Sequence, residues 1–287
     1  MHPTPTHLSP TWLDAQYNNR ARIADHAAIF ARWAIDSQQV RETRACRLDL
    51  TYGDGPNESL DLFLPTSERA PVLVFIHGGY WRALDKSDQS FVASGLVDDG
   101  ALVVIPNYAL CPAVTMETIA LQCARALAWV WRNAARFGGD PDRIVVAGHS
   151  AGGHLAAMLL CCDWHAVGSD LPRDLVTSAQ AISGLFDLEP LRHTPFLQTD
   201  LRLTPSSVRR LSPAGFSVPA RRQLHAWVGA LESEEFLRQN GLLRERWGSA
   251  TVPVCAQVPG AHHLSVLDSM VSQGGDLRRD ACLLLGL

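Results

Sequence analysis

Five consecutive residues, Gly148-His149-Ser150-Ala151-Gly152, have the G-x-S-x-G spacing that lifts a serine hydroxyl onto a sharp turn between a strand and a helix. Small neighbours are needed there because the serine backbone is strained and closely approached. The apolar run Ile144–Ala147 before the motif and the stretch His154–Leu160 after it supply that strand and helix. A helix start also aims unpaired N–H groups and the positive end of its dipole at any anion forming beside the serine. The chemistry is nucleophilic attack on a carbonyl. A structural helix cap is the plainer reading of Ser150, and the strand–motif–helix context outweighs it.

Such an attack creates a tetrahedral oxyanion, which preorganised backbone N–H donors stabilise. His77-Gly78-Gly79-Tyr80-Trp81 directly follows the apolar run Val72–Ile76, and its two glycines allow the backbone to come close to a substrate. The expected donors are the N–H groups of Gly78 and Gly79, joined by that of Ala151. A base and an acid must then follow the serine in chain order. His263 stands a few residues beyond the apolar run Val254–Val258, with His262 as competitor. Glu232 comes first after the run Leu224–Val228, whereas Glu234 and Glu235 read as the acidic first turn of the next helix. Asp187 reads as a helix cap for Leu188–Leu191, with the triad acid as its alternative role.

The elements that would position these residues follow from apolar periodicity. From Pro71 onward, short branched runs (Val72–Ile76, Leu102–Ile105, Ile144–Ala147, Ser178–Ile182, Leu224–Val228, Val254–Val258) alternate with helical stretches. Continuous runs of this kind are strands buried on both faces. Ile119, Cys123, Leu127, Val130 and Trp131 form a helical stripe, and helices are expected over Glu234–Trp247 and Gly275–Leu285. The alternation implies an α/β fold with a mostly parallel sheet and helices on both faces. Cys46–Thr51 and Ser59–Leu64, separated by Gly53-Asp54-Gly55-Pro56-Asn57, predict an antiparallel hairpin at its front. Within residues 1–45, a helix over 21–37 is expected to face the body through Ile23, Ala27, Phe30 and Ala34, with Ile29 and Trp33 alongside. Pro190, Pro195, Pro205 and Pro213 interrupt residues 188–220, which read as a small cap insertion. The whole chain, 1–287, reads as a single domain.

Composition narrows the function classes. Apolar residues make up 47% of the chain and charged ones 19%, which excludes global disorder. A net charge of −4 leaves no basic face for nucleic acid. No apolar stretch reaches the roughly 18 residues of a membrane span. The start, Met1-His2-Pro3-Thr4-Pro5-Thr6, has neither part of a signal peptide, so a cytoplasmic location is expected. The seven cysteines show no CxxC spacing and read as reduced thiols, and no histidine or cysteine spacing calls for a metal or other cofactor. Lys86 is the one lysine, so a Ser–Lys or Schiff-base mechanism would have to use it. Tyr80, Trp81 and Tyr108 are candidates for the wall of an aryl pocket, with core packing the alternative for the tryptophan. Arg192, Arg202, Arg209 and Arg210 read as solvated charge, with a substrate carboxylate as the alternative.

Taken together, HGGYW, GHSAGG, SGLFDLEPL at 183–191, LESEEFLRQ at 231–239 and GAHHL at 260–264 resemble the kynurenine formamidase (arylformamidase)-like group of α/β-hydrolases. The resemblance runs from about residue 12 to the end. It implies the α/β-hydrolase fold, with Ser150 as nucleophile, His263 as base and Glu232 as acid. Better-known eukaryotic members carry Asp at the position of Glu232 and commonly Asp-His-Phe at 262–264. The implied partner is a small-molecule ester or aryl amide, N-formylkynurenine among them, with a general short-chain carboxylesterase as the alternative. A catalytically silent binding protein on the same fold is the rival from another class, and the intact order Ser150, Glu232, His263 argues against it.

Overall fold

The computed structural model describes residues 9–55 and 57–287, so the expectation for residues 1–6 and the Pro56 part of the hairpin turn lie outside the described residues. Eight strands form one sheet: β1 (Cys46–Thr51), β2 (Ser59–Phe63), β3 (Ala70–Ile76), β4 (Leu102–Pro106), β5 (Gly139–His149), β6 (Ser178–Ile182), β7 (Gln223–Gly229) and β8 (Cys255–Val258). Their order is β1-β2-β4-β3-β5-β6-β7-β8. The first two pairings, β1 with β2 and β2 with β4, are antiparallel, and the remainder are parallel. The expected hairpin is therefore present, and its second strand also closes onto the parallel part.

Strand alternation divides the core into two layers. Val72, Val74 and Ile76 of β3, with Val104 of β4 and Val146 of β5, face the helices Met116–Asn133 and Ala151–Leu160. Leu73, Phe75, Val103 and Val145 face the opposite way, onto Trp33, Phe91, Leu96, Leu277 and Ala281. Both faces are apolar because both are covered, which is why these strands read as unbroken hydrophobic runs. The stripe on Met116–Asn133 is buried through Ile119, Cys123, Leu127 and Val130, and Thr115 caps it by accepting from the Thr118 N–H at 3.2 Å. Burying a side chain such as Leu127 contributes about 1.5–3 kcal/mol.

The N-terminal segment departs from expectation. Its long helix is His26–Thr43, preceded by Pro10–Tyr17 and the single turn Asn19–Arg22. The buried face is Ile29, Trp33, Ser37 and Val40, while Ala27 and Ala34 are exposed. Trp33 fixes that register: its ring stacks on Phe91 at 5.3 Å and meets Phe30 edge-on at 5.3 Å. Ser37, a polar residue on the inner face, accepts the Phe91 N–H at 3.1 Å.

Residues 188–220 form three short helices, Glu189–Arg192, Pro195–Leu201 and Pro205–Leu211, between β6 and β7. The prolines stand in their first turns, where the missing N–H costs nothing and the fixed φ suits the helix. Lys86 is tied up away from the serine turn: its Nζ donates to Asp49 and Asp61, each at 2.7 Å, on the β1–β2 edge. Among the described residues no helix is long and apolar enough to cross a membrane.

Candidate active site

Consecutive strands deliver the site at their C-terminal ends, beside the point where β3 feeds neighbours on either side, the usual place for a ligand in an open α/β sheet. β5 ends at His149, and Ser150 follows with φ 57° and ψ −117°, a conformation unfavourable for a residue with a Cβ. The Ser150 N–H donates to the Ile182 carbonyl at 2.8 Å, which ties the turn to β6. Gly152 must be glycine here, since a Cβ would collide with the Ile76 carbonyl oxygen. Helix Ala151–Leu160 starts at the next residue, so its unpaired N–H groups lie beside the serine.

The Ser150 hydroxyl donates to Nε2 of His263 at 3.0 Å, and Nδ1 of His263 donates to Oε2 of Glu232 at 2.6 Å. All three side chains are buried. The other Glu232 oxygen accepts the Ser183 hydroxyl at 2.5 Å and the Gly229 N–H at 2.8 Å. Three donors on its two oxygens hold that carboxylate in one orientation. Phe236 lies with its ring centroid 4.4 Å from that of His263. His149 donates from Nε2 to the His263 carbonyl at 2.8 Å, and burial holds its pKa well below the usual imidazole value, so it stays neutral. A serine joined in this way to an imidazole and a carboxylate can pass its proton to the imidazole as it attacks a carbonyl.

The competing residues are occupied elsewhere. His262 uses Nδ1 to accept the N–H groups of Leu264 and Ser265, both at 3.2 Å, and so caps the turn after β8. Glu234 is exposed in the first turn of helix Glu234–Trp247. Glu235 accepts the Tyr17 hydroxyl at 2.6 Å and pairs with Arg238. Asp187 accepts the Glu189 N–H at 3.1 Å, in the turn leading into helix Glu189–Arg192, whose N-cap position is Leu188.

Gly78 lies directly against the serine, for a Cβ there would come within 3.1 Å of the Ser150 Cβ. Gly79 has φ +101° and lines the adjoining cavity. The loop that carries them is propped from behind. Tyr108 stacks on His77 at 4.2 Å and donates its hydroxyl to the His77 carbonyl at 2.8 Å, while His77 donates from Nε2 to Asn107 at 3.1 Å.

A cavity of about 370 Å³ opens over Ser150 and His263. Tyr80 lines it, as expected. Trp81 and Tyr108 do not: both are fully buried, the first edge-on to His154 at 5.0 Å and the second against His77, so they belong to the core behind the loop. The arginines of residues 188–220 are likewise absent from the lining. Arg192 pairs with Glu189, and Arg210 pairs with Glu117 at 2.7 Å. The cavity is walled instead by Asn19, Arg20, Phe30 and Trp33 from the N-terminal segment, Arg82 after the glycine pair, and Phe196 and Asp200 from helix Pro195–Leu201. Sequence reasoning missed these residues. The doubled Asn18-Asn19 was the one local sign that the first helix breaks there: Asn18 accepts the Ala21 N–H at 3.2 Å.

The strand order, the serine turn after β5 and helices on both faces define an α/β-hydrolase. A provisionally assigned thioesterase from Silicibacter sp. TM1040 superposes with a TM-score of 0.81 at 34% identity, over 92% of this chain and 97% of that one. A hyperthermophilic esterase from Pyrobaculum calidifontis shares the fold at 20% identity, with a TM-score of 0.69 over 97% of this chain and 96% of its own. A family model described as BD-FAE matches residues 60–169. The kynurenine formamidase of Danio rerio is 30% identical over 245 residues, covering 83% of this chain and 81% of the relative. The chain belongs to the kynurenine formamidase family, and it is a hydrolase of the formamidase and esterase kind.

Proposed function

We propose that the protein is a serine hydrolase that cleaves small esters or aryl amides through an acyl-enzyme. Ser150 attacks the substrate carbonyl while His263 takes its proton. Glu232 holds the imidazole in the receptive tautomer and stabilises the imidazolium that forms. The N–H groups of Gly78, Gly79 and Ala151 stabilise the oxyanion. His263 returns the proton to the departing alcohol or amine, and a water, deprotonated by the same imidazole, releases the acyl group and regenerates Ser150. Residues 188–220 act as a small cap on a single domain, with Tyr80 and Phe196 forming part of the substrate wall.

The observation that carries this reading is the unbroken pair of hydrogen bonds from Ser150 to His263 to Glu232. Among possible substrates, an aryl formamide such as N-formylkynurenine is favoured by the family and by the aromatic wall of the cavity. The esterase structural relatives favour short-chain carboxyl esters as a second reading. A fluorophosphonate should label the protein at Ser150, and Ser150→Ala should lose both labelling and turnover, by about 10⁴-fold or more. Labelling that persists in the variant would refute the assignment. Comparing kcat/KM for N-formylkynurenine with that for p-nitrophenyl acetate and butyrate separates the two substrate readings. An absence of deformylation alongside good butyrate hydrolysis would leave a carboxylesterase.

A further inference from the structure

The motif SGLFDLEPL at 183–191 opens with Ser183, which takes no part in the proposed proton transfers. Ser183 is buried at the end of β6 and has φ 52°, a left-handed conformation that is unfavourable for a residue with a Cβ and easy for glycine. The chain is closely packed at this point. A Cβ on the next residue, Gly184, would collide with the Phe186 ring and press on the backbone of Gly153, in the helix that follows Ser150. Strain of this kind persists only where the surroundings over-determine it, and it clusters at functional sites. A serine kept where glycine would fit directs attention to its hydroxyl.

β6 lies between β5, which carries Ser150, and β7, which leads to Glu232, and its end is bonded to both. The Ile182 carbonyl accepts the Ser150 N–H at 2.8 Å, and the Ser183 N–H donates to the Trp227 carbonyl at 2.7 Å. The Ser183 hydroxyl then donates to Oε1 of Glu232 at 2.5 Å. Glu232 has a long, flexible side chain that folds back over its own turn, where the Gly229 N–H meets the same oxygen. Ser183 is the contact that ties this carboxylate to β6, and through Ile182 to the serine turn. A hydroxyl donating to a carboxylate also draws off part of its charge, which weakens the hold of the other oxygen on an imidazolium.

We infer that Ser183 is a positioning residue for hydrolysis: its hydroxyl fixes the Glu232 carboxylate toward His263 and limits how strongly that carboxylate holds the protonated imidazole. This inference rests on the serine hydrolase reading above. It is tested with Ser183→Gly, which removes the hydroxyl and relieves the left-handed strain, and with Ser183→Ala, which removes the hydroxyl alone. With p-nitrophenyl acetate, both should lower kcat about ten- to hundred-fold, the range for losing a hydrogen bond to a charged group. KM should stay within about two-fold, because Ser183 does not line the cavity over Ser150. The glycine variant should unfold at a urea concentration no lower than the alanine variant, which separates lost turnover from lost folding. In both, the acid limb of kcat/KM should move to higher pH by about half a unit or more, since a carboxylate with one donor fewer holds the imidazolium more tightly. His149 and Tyr80 face the same groups, but burial keeps the first neutral and the second protonated across this range. Arg22, Asp25 and His262, in the cleft beside Glu232 and His263, are common to every variant. In a Glu232→Gln background, Ser183→Gly should cost less than about two-fold further, because a residue acting through that carboxylate has nothing left to hold. Full kcat in Ser183→Gly, an unmoved acid limb, or an equal loss with and without Glu232 overturns the inference, while loss of turnover in Ser150→Ala keeps the hydrolase reading intact. Turnover that survives Ser150→Ala overturns both.

Discussion

Replacing Glu232 by Gln preserves its shape and removes its charge, and the surrounding groups determine the consequence. Three donors converge on the carboxylate: His263 Nδ1 at 2.6 Å, the Ser183 hydroxyl at 2.5 Å and the Gly229 N–H at 2.8 Å. A glutamine meets them with one acceptor and one donor. If its NH2 points at His263, the imidazole must carry its proton on Nε2, where it faces the Ser150 hydroxyl and cannot accept from it. If the amide is reversed, its NH2 opposes the Gly229 N–H, a buried donor–donor contact costing about 1–3 kcal/mol. The imidazolium formed during attack loses its counter-charge in either case. The first orientation should dominate and lower kcat by about 10⁴-fold. Steady-state kinetics on p-nitrophenyl acetate measure this, with thermal midpoints confirming that the variant folds. Glu234→Gln, on the exposed first turn of its helix, should remain near wild type. Retention of more than about a tenth of wild-type kcat in Glu232→Gln, or loss of activity in Asp187→Asn instead, would refute the reasoning.

Two further predictions concern stability. His154 is fully buried, and burial depresses its pKa to about 4, so the folded state takes up its proton later than the unfolded chain does. Its contribution is complete above about pH 6.5 and should be lost progressively between there and pH 4, about 3 kcal/mol in all. His77 and His149, also depressed by burial, act in the same direction. Urea midpoints measured across that range should fall less steeply in His154→Gln, and parallel curves would count against the assignment. Lys86→Met removes the ammonium between Asp49 and Asp61 and leaves the Asp61 carboxylate buried, at 1% exposure, without its cation. Denaturation should register a loss of about 3–5 kcal/mol, largely restored by adding Asp61→Leu. A single variant within 1 kcal/mol of wild type would refute this.

Where a local pattern had one physical cause, it was readable in advance. The strands β3, β4 and β5 are apolar on both faces because both faces are covered, so short branched runs marked them without any knowledge of the partner layers. Ser150, Gly78 and Gly79 were readable because a tight turn and a close approach restrict residue type. The carboxylate and imidazole that hydrogen-bond in series with Ser150 followed from chain order once the later strands were placed. Three things depended on distant partners. The inner face of helix His26–Thr43 is set by Trp33 against Phe91, with Ser37 turned inward by a bond to that same residue's backbone, so counting apolar positions found Ile29 and Trp33 but wrongly added Ala27 and Ala34. Trp81 and Tyr108 adjoin the glycine loop, but the layer behind it claims their rings. Asn19 and Arg20 are held at the cavity by distant partners, Tyr17 bonding to Glu235, 218 residues away, and Asp14 accepting the Phe196 N–H.

The separations within the site also bear on how the chain matures. Its wall begins at Asn18, its serine stands at 150, its carboxylate at 232 and its histidine at 263. Contacts of such long range form late, because closing large loops costs entropy before the contacts repay it. A nascent chain with Ser150 already synthesised would still lack Glu232 and His263, which arrive with the last quarter of the sequence. On the proposed mechanism, the growing polypeptide therefore carries an unactivated serine. Hydrolytic competence should appear abruptly with the docking of β7 and β8, and it should not build up gradually as the earlier layers assemble.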